Sequence, residues 1–421
     1  MDKKLVNKIL ITLGFLLVFR VLAYVPTPGV DVEMIRQFFD TQRGNALGLY
    51  NMFSGNAVER LSIISLGIMP YITAAIIMEL LGATFPELGK LKKERDGMQK
   101  YMQIVRYMTV GIGLVQSIGV AIGITNLNQN GVSAVMIDRT TFIALAAISM
   151  TAGTMALLWI GEQITQKGVG NGTSLIIFGG IVASIPSAIT TTIDLVNKGT
   201  MNFLVLIVIV AIIVVTVGFI IYIELAERRV PVSYSRKVMI ESQNKRVMNY
   251  IPIKINLSGV IPPIFASALL MFPATFLQAG AEQSAWLRAI GDLLSPSGYF
   301  FNALTFFFVI FFAYFYASIV FNPKDIAENL KKQGGFIPGV RPGQHSSEYL
   351  SDIASRLTLT GAIYLAIIST LPWVLVKLMG VPFYFGGTAV LIIVQVALDT
   401  MRKIEAQIYM SRYQTLSAVG L

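Results

Sequence analysis

Ten apolar segments recur along this chain, and each is about as long as a bilayer core is thick. An α-helix needs about 20 apolar residues to cross that core, where every backbone polar group must be satisfied internally. Hydrophobic residues make up 54% of the 421 residues and charged residues 13%, which favours an all-α polytopic membrane protein. The segments lie at 1–24, 61–81, 104–125, 141–161, 173–193, 202–223, 256–277, 300–321, 357–376 and 384–401.

The first segment imitates a signal peptide, because Lys3, Lys4 and Lys8 precede an apolar run. Arg20 interrupts that run, and no small-residue cleavage pattern follows it. These two features favour an uncleaved first membrane span.

The distribution of basic residues predicts the orientation of the spans. With the N-terminus inside, about three quarters of the 33 lysines and arginines fall on the inner side. We therefore expect ten spans with both termini in the cytoplasm.

The second segment is interrupted near its start. Within Asn51–Leu81, the polar lead is followed by Gly67 and Pro70, which both disfavour a continuous helix. We expect a short helix, a break at 68–70 and then a longer helix. One interpretation is a lipid-facing span with an ordinary proline kink. The other is a movable half-helix in a cavity, because broken backbone at membrane depth must be buried in protein or line water.

The interrupted segment has a counterpart in the second half of the chain. Segments two and seven share a Gly-x-x-Pro pattern, at Gly67–Pro70 and Gly259–Pro262, and segments five and ten both begin with Gly-Thr. In the assigned orientation the matching segments run in opposite directions. The chain is thus predicted to form two inverted five-helix halves, 1–200 and 201–403, followed by a cytoplasmic tail at 404–421.

Isoleucines recur beside these breaks. Branched apolar side chains around a pore exclude water and ions, so a shared position at several helix interruptions favours a constriction. Ordinary core packing is the alternative for each one taken singly. The isoleucines are Ile68, Ile72, Ile177, Ile264 and Ile392.

Composition excludes several chemistries. The chain has no cysteine and one histidine, His345, so we expect no metal site, no cofactor and no enzymatic activity. A secondary transporter with inverted repeats is the main alternative to a channel, but it needs ionisable groups at the midplane. Glu79, Glu162, Glu224 and Asp399 all lie near the predicted cytoplasmic ends of their segments.

Two predicted cytoplasmic loops, 224–255 and 322–352, are long and basic. A turn-rich cluster at Phe336–Gly343 is predicted to hold Arg341 at a rigid tip. Such loops attract lipid headgroups, ribosomal RNA or an acidic protein surface, although topology alone also explains part of their charge. Aromatic residues are sparse there, so we expect no sequence-specific binding of nucleic acid.

Motifs spread over nearly the whole chain, from about Lys4 to Tyr413, resemble those of the bacterial SecY family, the pore subunit of the Sec protein translocon. The long motif around Arg341 is the most specific. The motifs are MFSG (52–55), SLGIMPYI (65–72), WIGEQIT (159–165), GVGNG (168–172), GVIPPIFAS (259–267), FPAT (272–275), NPKDIAENLKKQGGFIPGVRPG (322–343) and PFYFGGT (382–388).

The resemblance implies a protein-conducting channel in the bacterial plasma membrane, with a central hourglass pore. Unfolded secretory proteins would cross through it, and transmembrane segments would leave it sideways into lipid. Signal sequences would gate it, together with docking of SecA or a ribosome. The implied partners are the SecE and SecG subunits, the SecA ATPase, the ribosome, signal peptides, preproteins and anionic lipids.

The resemblance also assigns residues to the pore. Thr173 occupies a sixth ring position that is isoleucine in some relatives, beside the five isoleucines above. A plug at 53–66 would close the external funnel. Its members are Phe53, Ser54, Gly55, Asn56, Arg60, Ser62 and Ile64.

Segments two, three, seven and eight would form a lateral gate, with candidate residues Thr73, Gln116, Asn256 and Phe272. The two basic loops would dock SecA or the ribosome. Around Lys245 and Arg246 the sequence departs from relatives, so no role is carried onto them. The implied docking residues are Arg228, Arg229, Arg236, Lys237, Lys331, Lys332 and Arg341.

Overall fold

The structure, a computed structural model, is mostly helical. It describes residues 3–41, 51, 54–125, 128–129, 132–199, 202–234, 250–280, 290–291, 293–295, 298–379 and 387–418. A helix covers most of the described part of each predicted apolar segment. The helices are α1 (Lys3–Leu22), α2 (Val32–Thr41), α3 (Met69–Thr84), α4 (Pro86–Lys93), α5 (Arg95–Thr125), α6 (Arg139–Lys167), α7 (Gly172–Asn197), α8 (Phe203–Leu225), α9 (Ile261–Gly280), α10 (Tyr299–Val320), α11 (Pro323–Lys332), α12 (Gln344–Met379) and α13 (Gly387–Ala418).

Seven of the described helices are long and apolar enough to cross a membrane: α1, α5, α6, α7, α8, α10 and α12. An eighth span arises if α3 and α4, between which the chain bends by 116°, are counted together. Helix α9 contributes a shorter apolar stretch, Ile261–Leu270. Helix α13 is not among these seven, and its apolar start is soon followed by the charged residues Asp399, Arg402 and Lys403.

The break in the second segment is longer than expected. Residues 54–68 form turns and one 3₁₀ turn, Val58–Arg60, and the helix begins only at Met69. Pro70 stands in the first turn of α3, where its missing N–H leaves no hydrogen bond unmade. Proline therefore starts this helix instead of kinking it, and the expected short first helix is a single 3₁₀ turn.

The described parts of the two basic loops together form one folded unit, which we call the loop unit. Strand β3 (Glu227–Pro231) pairs with β5 (Tyr250–Lys254), and β4 (Ser233–Tyr234) pairs with β6 (Gly335–Phe336), which joins the first loop to the second. Short half-polar strands carry a weak sequence signal, so this pairing could not be predicted. The unit has its own apolar core, formed by Val230, Val232, Ile253, Leu330, Ile337 and Leu350.

The third pair of short strands, β1 (Asn128–Gln129) and β2 (Val132–Ser133), lies between α5 and α6. Most of the membrane-spanning helices share one large apolar core, while many large apolar side chains on α8 and α10 are exposed. An outer apolar surface of this kind is normal for a protein that faces lipid. Helix α9 packs against α3, α5 and α10.

Helices α6 and α7 approach each other at two glycines. A Cβ on Gly172 would lie 1.8 Å from the Gly161 carbonyl oxygen. Gly172→Ala should therefore push the helices apart and cost about 1–3 kcal/mol of stability. Thermal unfolding in detergent measures this effect. Gly218→Ala in α8, where a Cβ meets nothing within 4 Å, is the matched control and should not destabilise the protein.

Candidate functional site

Four of the predicted ring isoleucines meet at one small cavity. Ile72, Ile177 and Ile264 each lie within the first two turns of α3, α7 and α9, so the N-terminal ends of three helices converge there. The cavity has a volume of about 10 Å³, room for about one water molecule. Its lining is formed by Ser54, Leu66, Gly67, Ile68, Met69, Ile72, Ile177, Ile264 and Ser267.

Two predicted ring positions do not line this cavity. Ile392 is fully buried in the same apolar core. Thr173 is half-buried, and its hydroxyl donates a 2.7 Å hydrogen bond to Asn171, whose side chain caps the start of α7. The Thr173 hydroxyl thus bonds to the side chain that caps α7, a local role that the pattern of isoleucines could not reveal.

Gly67, Met69 and Ser267 line the cavity but were not among the predicted site residues, and Leu66 was predicted only as the last residue of the plug segment. Ser267 lies one helical turn after Ile264, on the same face of α9, so helical spacing offered a signal for it. No such spacing could indicate that Leu66 lines the cavity, because Leu66 lies in irregular backbone.

The described part of the predicted plug 53–66, residues 54–66, is largely buried between two apolar clusters. Ala57 and Ile64 pack into the main core, beside the ring isoleucines. Val58, Leu61 and Leu66 pack instead against a second cluster that includes α2 and α6. The predicted plug residues Ser54 and Ser62 are also buried, whereas Asn56 and Arg60 are partly exposed. Phe53 lies outside the described residues.

Helix α1 and the chain that follows it hold this segment by hydrogen bonds. The Arg20 guanidinium donates to the Gly55 carbonyl oxygen (2.8 Å), and the Ser62 hydroxyl donates to the Leu22 carbonyl oxygen (2.8 Å). Backbone bonds join the Thr27 N–H to the Leu61 carbonyl (2.8 Å) and the Ile63 N–H to the Val25 carbonyl (3.0 Å). These bonds satisfy irregular backbone that has no partner in a helix.

Two arginines contact one tyrosine just after the C-terminal end of α1. The Arg20 guanidinium lies 5.5 Å from the Tyr24 ring centroid, and that of Arg60 lies 4.1 Å from it. Because Arg60 belongs to the plug segment and Arg20 to α1, the ring joins the two by cation–π contacts.

A close backbone approach seats the segment on α6. A Cβ on Gly153 would lie 2.0 Å from the Ile63 carbonyl oxygen, so only glycine permits this contact. At the turn before it, Leu61 has φ +41°, in the left-handed region that a bulky side chain rarely occupies.

The candidate gate residues do not form a hydrogen-bonded seam in the described chain. Thr73 is buried and its hydroxyl donates to Met69 in the same helix (3.1 Å). Gln116 has a buried side-chain oxygen without a hydrogen-bond partner. Asn256 bonds to Glu224 at the end of α8, and the backbone of Phe272 lies in α9, while its side chain is outside the described part.

The loop unit exposes several basic side chains. Five of the predicted docking residues are exposed, whereas Arg236 and Lys237 fall outside the described residues. Arg229 also stacks on Tyr250 at 4.8 Å, and the Ser346 hydroxyl donates to the backbone carbonyl of Arg341 (3.0 Å). The exposed five are Arg228, Arg229, Lys331, Lys332 and Arg341.

Among the residues with described positions, no cluster of three or more histidine, aspartate or glutamate side chains could hold a metal ion.

The family model described as SecY matches residues 62–401. The chain is 66% identical over 420 residues to the protein translocase subunit SecY of Helicobacter pylori, covering all of both chains.

Two solved structures share the fold at low sequence identity. One, described as showing that the plug domain of SecY stabilises the closed state of the channel and maintains a membrane seal, has a TM-score of 0.67 and 18% identity. The other is Sec61 in the canine ribosome-channel complex from the endoplasmic reticulum, with a TM-score of 0.65 and 16% identity. Each match covers 96% of this chain and 92% of the other.

Arg20→Gln should weaken the seating of the 54–66 segment, because it removes a charged hydrogen bond and a cation–π contact. We expect openings in a planar bilayer to become about tenfold more frequent. Arg36→Gln, an exposed arginine on α2, makes the same charge change and is the control. Equal conductance of the Arg20 variant and the unchanged protein would contradict the role of this contact.

Proposed function

Because the chain belongs to the SecY family, we propose that it forms the central protein-conducting channel of a bacterial translocase. Unfolded secretory proteins cross the membrane through it, and sufficiently apolar segments leave it sideways into lipid. The observation that carries this proposal is a constriction of isoleucines at three converging helix ends, with residues 54–66 packed against it.

We propose that all ten predicted segments cross the plasma membrane, as two inverted five-helix halves with cytoplasmic termini. The bias of basic residues supports the orientation, and the helices found at all ten segments support the number. Spans two, seven and ten are short or irregular at one end because they line the pore, where non-helical backbone is tolerated.

The constriction seals by being narrow and apolar. An ion inside it loses hydration and gains no polar partner from the isoleucines. An extended polypeptide passes the same ring without specific binding, because branched apolar side chains offer no hydrogen bonds that would discriminate among sequences. The ring therefore accepts many substrates while it excludes ions at rest.

A signal sequence opens the gate by differential binding. It is a short apolar helix, and it intercalates where α3 and α5 pack against α9, next to lipid. Because it binds only where those helices have separated, its binding shifts the equilibrium toward the open channel and displaces the plug. Energy for transport comes from a partner or a gradient, since the chain has no phosphate-binding loop of its own.

The loop unit lies in the cytoplasm in this proposal, and its exposed basic residues dock SecA or a translating ribosome. Its charge favours acidic protein surfaces and ribosomal RNA, and anionic lipids at the membrane surface. A ribosome complex of the structurally similar canine Sec61 supports a partner of that kind. SecE and SecG complete the translocase in this proposal.

Single-channel conductance tests the channel itself. Deletion of residues 53–66 should give larger or more frequent openings with little ion selectivity, because the seal loses the segment that covers the ring. If this variant shows no conductance in the bilayer and a gradient instead drives uptake of a small solute, the result would support a secondary transporter.

Arg341→Glu should reduce SecA-driven export of a preprotein into membrane vesicles by about tenfold or more, because it reverses an exposed charge at the docking tip. Lys324→Glu, also exposed in the same unit, is the control for a general charge effect. Thermal unfolding of the Arg341 variant should be unchanged. Normal export by the Arg341 variant would contradict the docking role of this residue.

A further inference from the structure

Glu224 differs from the other three acidic residues near the cytoplasmic ends of the spans. Glu79 pairs with Lys92 (2.6 Å), Glu162 with Arg106 (2.8 Å) and Asp399 with Lys403 (3.0 Å). Glu224 is only 5% exposed, and its carboxylate is held by two side-chain amides instead of a cation. A buried charge is costly unless hydrogen bonds satisfy it, so this arrangement is specific.

The bonds of Glu224 reach two other elements. Asn256, in the linker between β5 and α9, donates to one carboxylate oxygen (2.6 Å), and Gln395 of α13 donates to the other (3.2 Å). Arg402, two turns further along α13, donates to the Glu224 backbone carbonyl (3.1 Å). That carbonyl is in the last turn of α8, where it has no partner within the helix.

Asn256 in turn shapes the start of α9. Its side-chain oxygen accepts from the Gly259 N–H (3.0 Å) and the Ser258 hydroxyl (3.1 Å). Helix α9 begins at Ile261, with Pro262 and Pro263 in its first turn, where a missing N–H leaves no helical hydrogen bond unmade. The side-chain bonds of Asn256 fix the turn at Ser258 and Gly259, directly before this helix end.

The helix that begins after this turn carries part of the constriction. Ile264 lies one turn after the start of α9 and lines the cavity with the isoleucines of α3 and α7. On α13, Gln395 lies one turn after the buried Ile392. A Cβ on Gly259 would lie 3.2 Å from the Gln395 amide nitrogen, so the chain just before α9 lies close to α13 at this point.

We propose that Glu224 is a positioning residue for the constriction. Its hydrogen bonds hold the start of α9 against α8 and α13, and so keep Ile264 in line with the ring. This inference rests on the channel function proposed above. It gives a role to a buried acid that touches neither the ring nor the plug.

The test compares full-length variants reconstituted in planar bilayers. Glu224→Ala removes both bonds to the carboxylate and should keep the resting channel open about tenfold more of the time. Glu224→Gln keeps an acceptor for Asn256. Its new amide group can donate to the Gln395 side-chain oxygen, which has no partner at present, once that amide has turned over. This variant should therefore restore the resting seal.

Asp399→Asn is the matched control. Asp399 lines the same cytoplasmic cavity as Glu224, but it forms an ion pair with Lys403 on the same helix. It should leave the conductance unchanged. Conductance of Glu224→Ala at the level of the unchanged protein, or an equal rise in the Asp399 or the Gln variant, would overturn the proposal.

A second readout separates positioning from a loss of folding. Because the chain has no cysteine, Ile264→Cys introduces a single thiol at the constriction. Its labelling by a membrane-impermeant thiol reagent should be faster when combined with Glu224→Ala, and unchanged with Asp399→Asn. Unchanged labelling in both would overturn the proposal, even if thermal unfolding shows the Ala variant to be less stable.

Deletion of residues 53–66 in the same bilayers tells the two failures apart. If the deletion conducts and Glu224→Ala does not, the channel stands and the positioning role falls. If neither conducts, the channel function itself fails.

Discussion

Irregular backbone at membrane depth must find its hydrogen bonds within the protein, and the arrangement of the pore depends on this constraint. Residues 54–68 contain no α-helix. Many of their backbone hydrogen bonds close turns within the segment or reach Asn51, while Arg20, Val25 and Thr27 bond to the backbone of Gly55, Ile63 and Leu61. The segment can cover the constriction because its own turns and the neighbouring chain supply the partners that water would supply elsewhere.

The same constraint recurs in the second half of the chain in another form. At the start of α9, the side chain of Asn256 meets the backbone of Gly259, and Glu224 holds Asn256. The two interrupted segments share a Gly-x-x-Pro pattern but not their supporting partners, since one is held by α1 and the other by α8 and α13. Similar local sequence thus leads to similar helix starts within different surroundings.

Much of the helical fold followed from apolar length alone. Hydropathy placed a helix at each segment, but it began the third at 104, whereas α5 starts at Arg95, because charged turns outside the membrane carry no apolar signal. Of the ring positions, Ile68, Ile72, Ile177 and Ile264 line one cavity, while their role as a pore ring stays a prediction.

Other parts of the site depend on contacts that are distant in the sequence. Asn256 was assigned to the lateral gate, yet in the described chain its side chain bonds to Glu224, and that gate role stays a prediction without a contact to support it. The pairing of β4 with β6 joins residues about a hundred positions apart, which neither periodicity nor turn residues can indicate. The motifs shared with the SecY family assigned roles to more residues than periodicity did, because a family resemblance includes residues that contact each other from distant parts of the sequence.

The left-handed backbone of Leu61 affects the free energy needed to displace the plug segment. A bulky residue in that region stores on the order of 1–3 kcal/mol, retained only because Val58, Leu66 and their neighbours enclose it. In the proposed mechanism, the plug segment is displaced when the channel opens. The strain at Leu61 would then be relieved, which would lower the free-energy cost of displacing the plug.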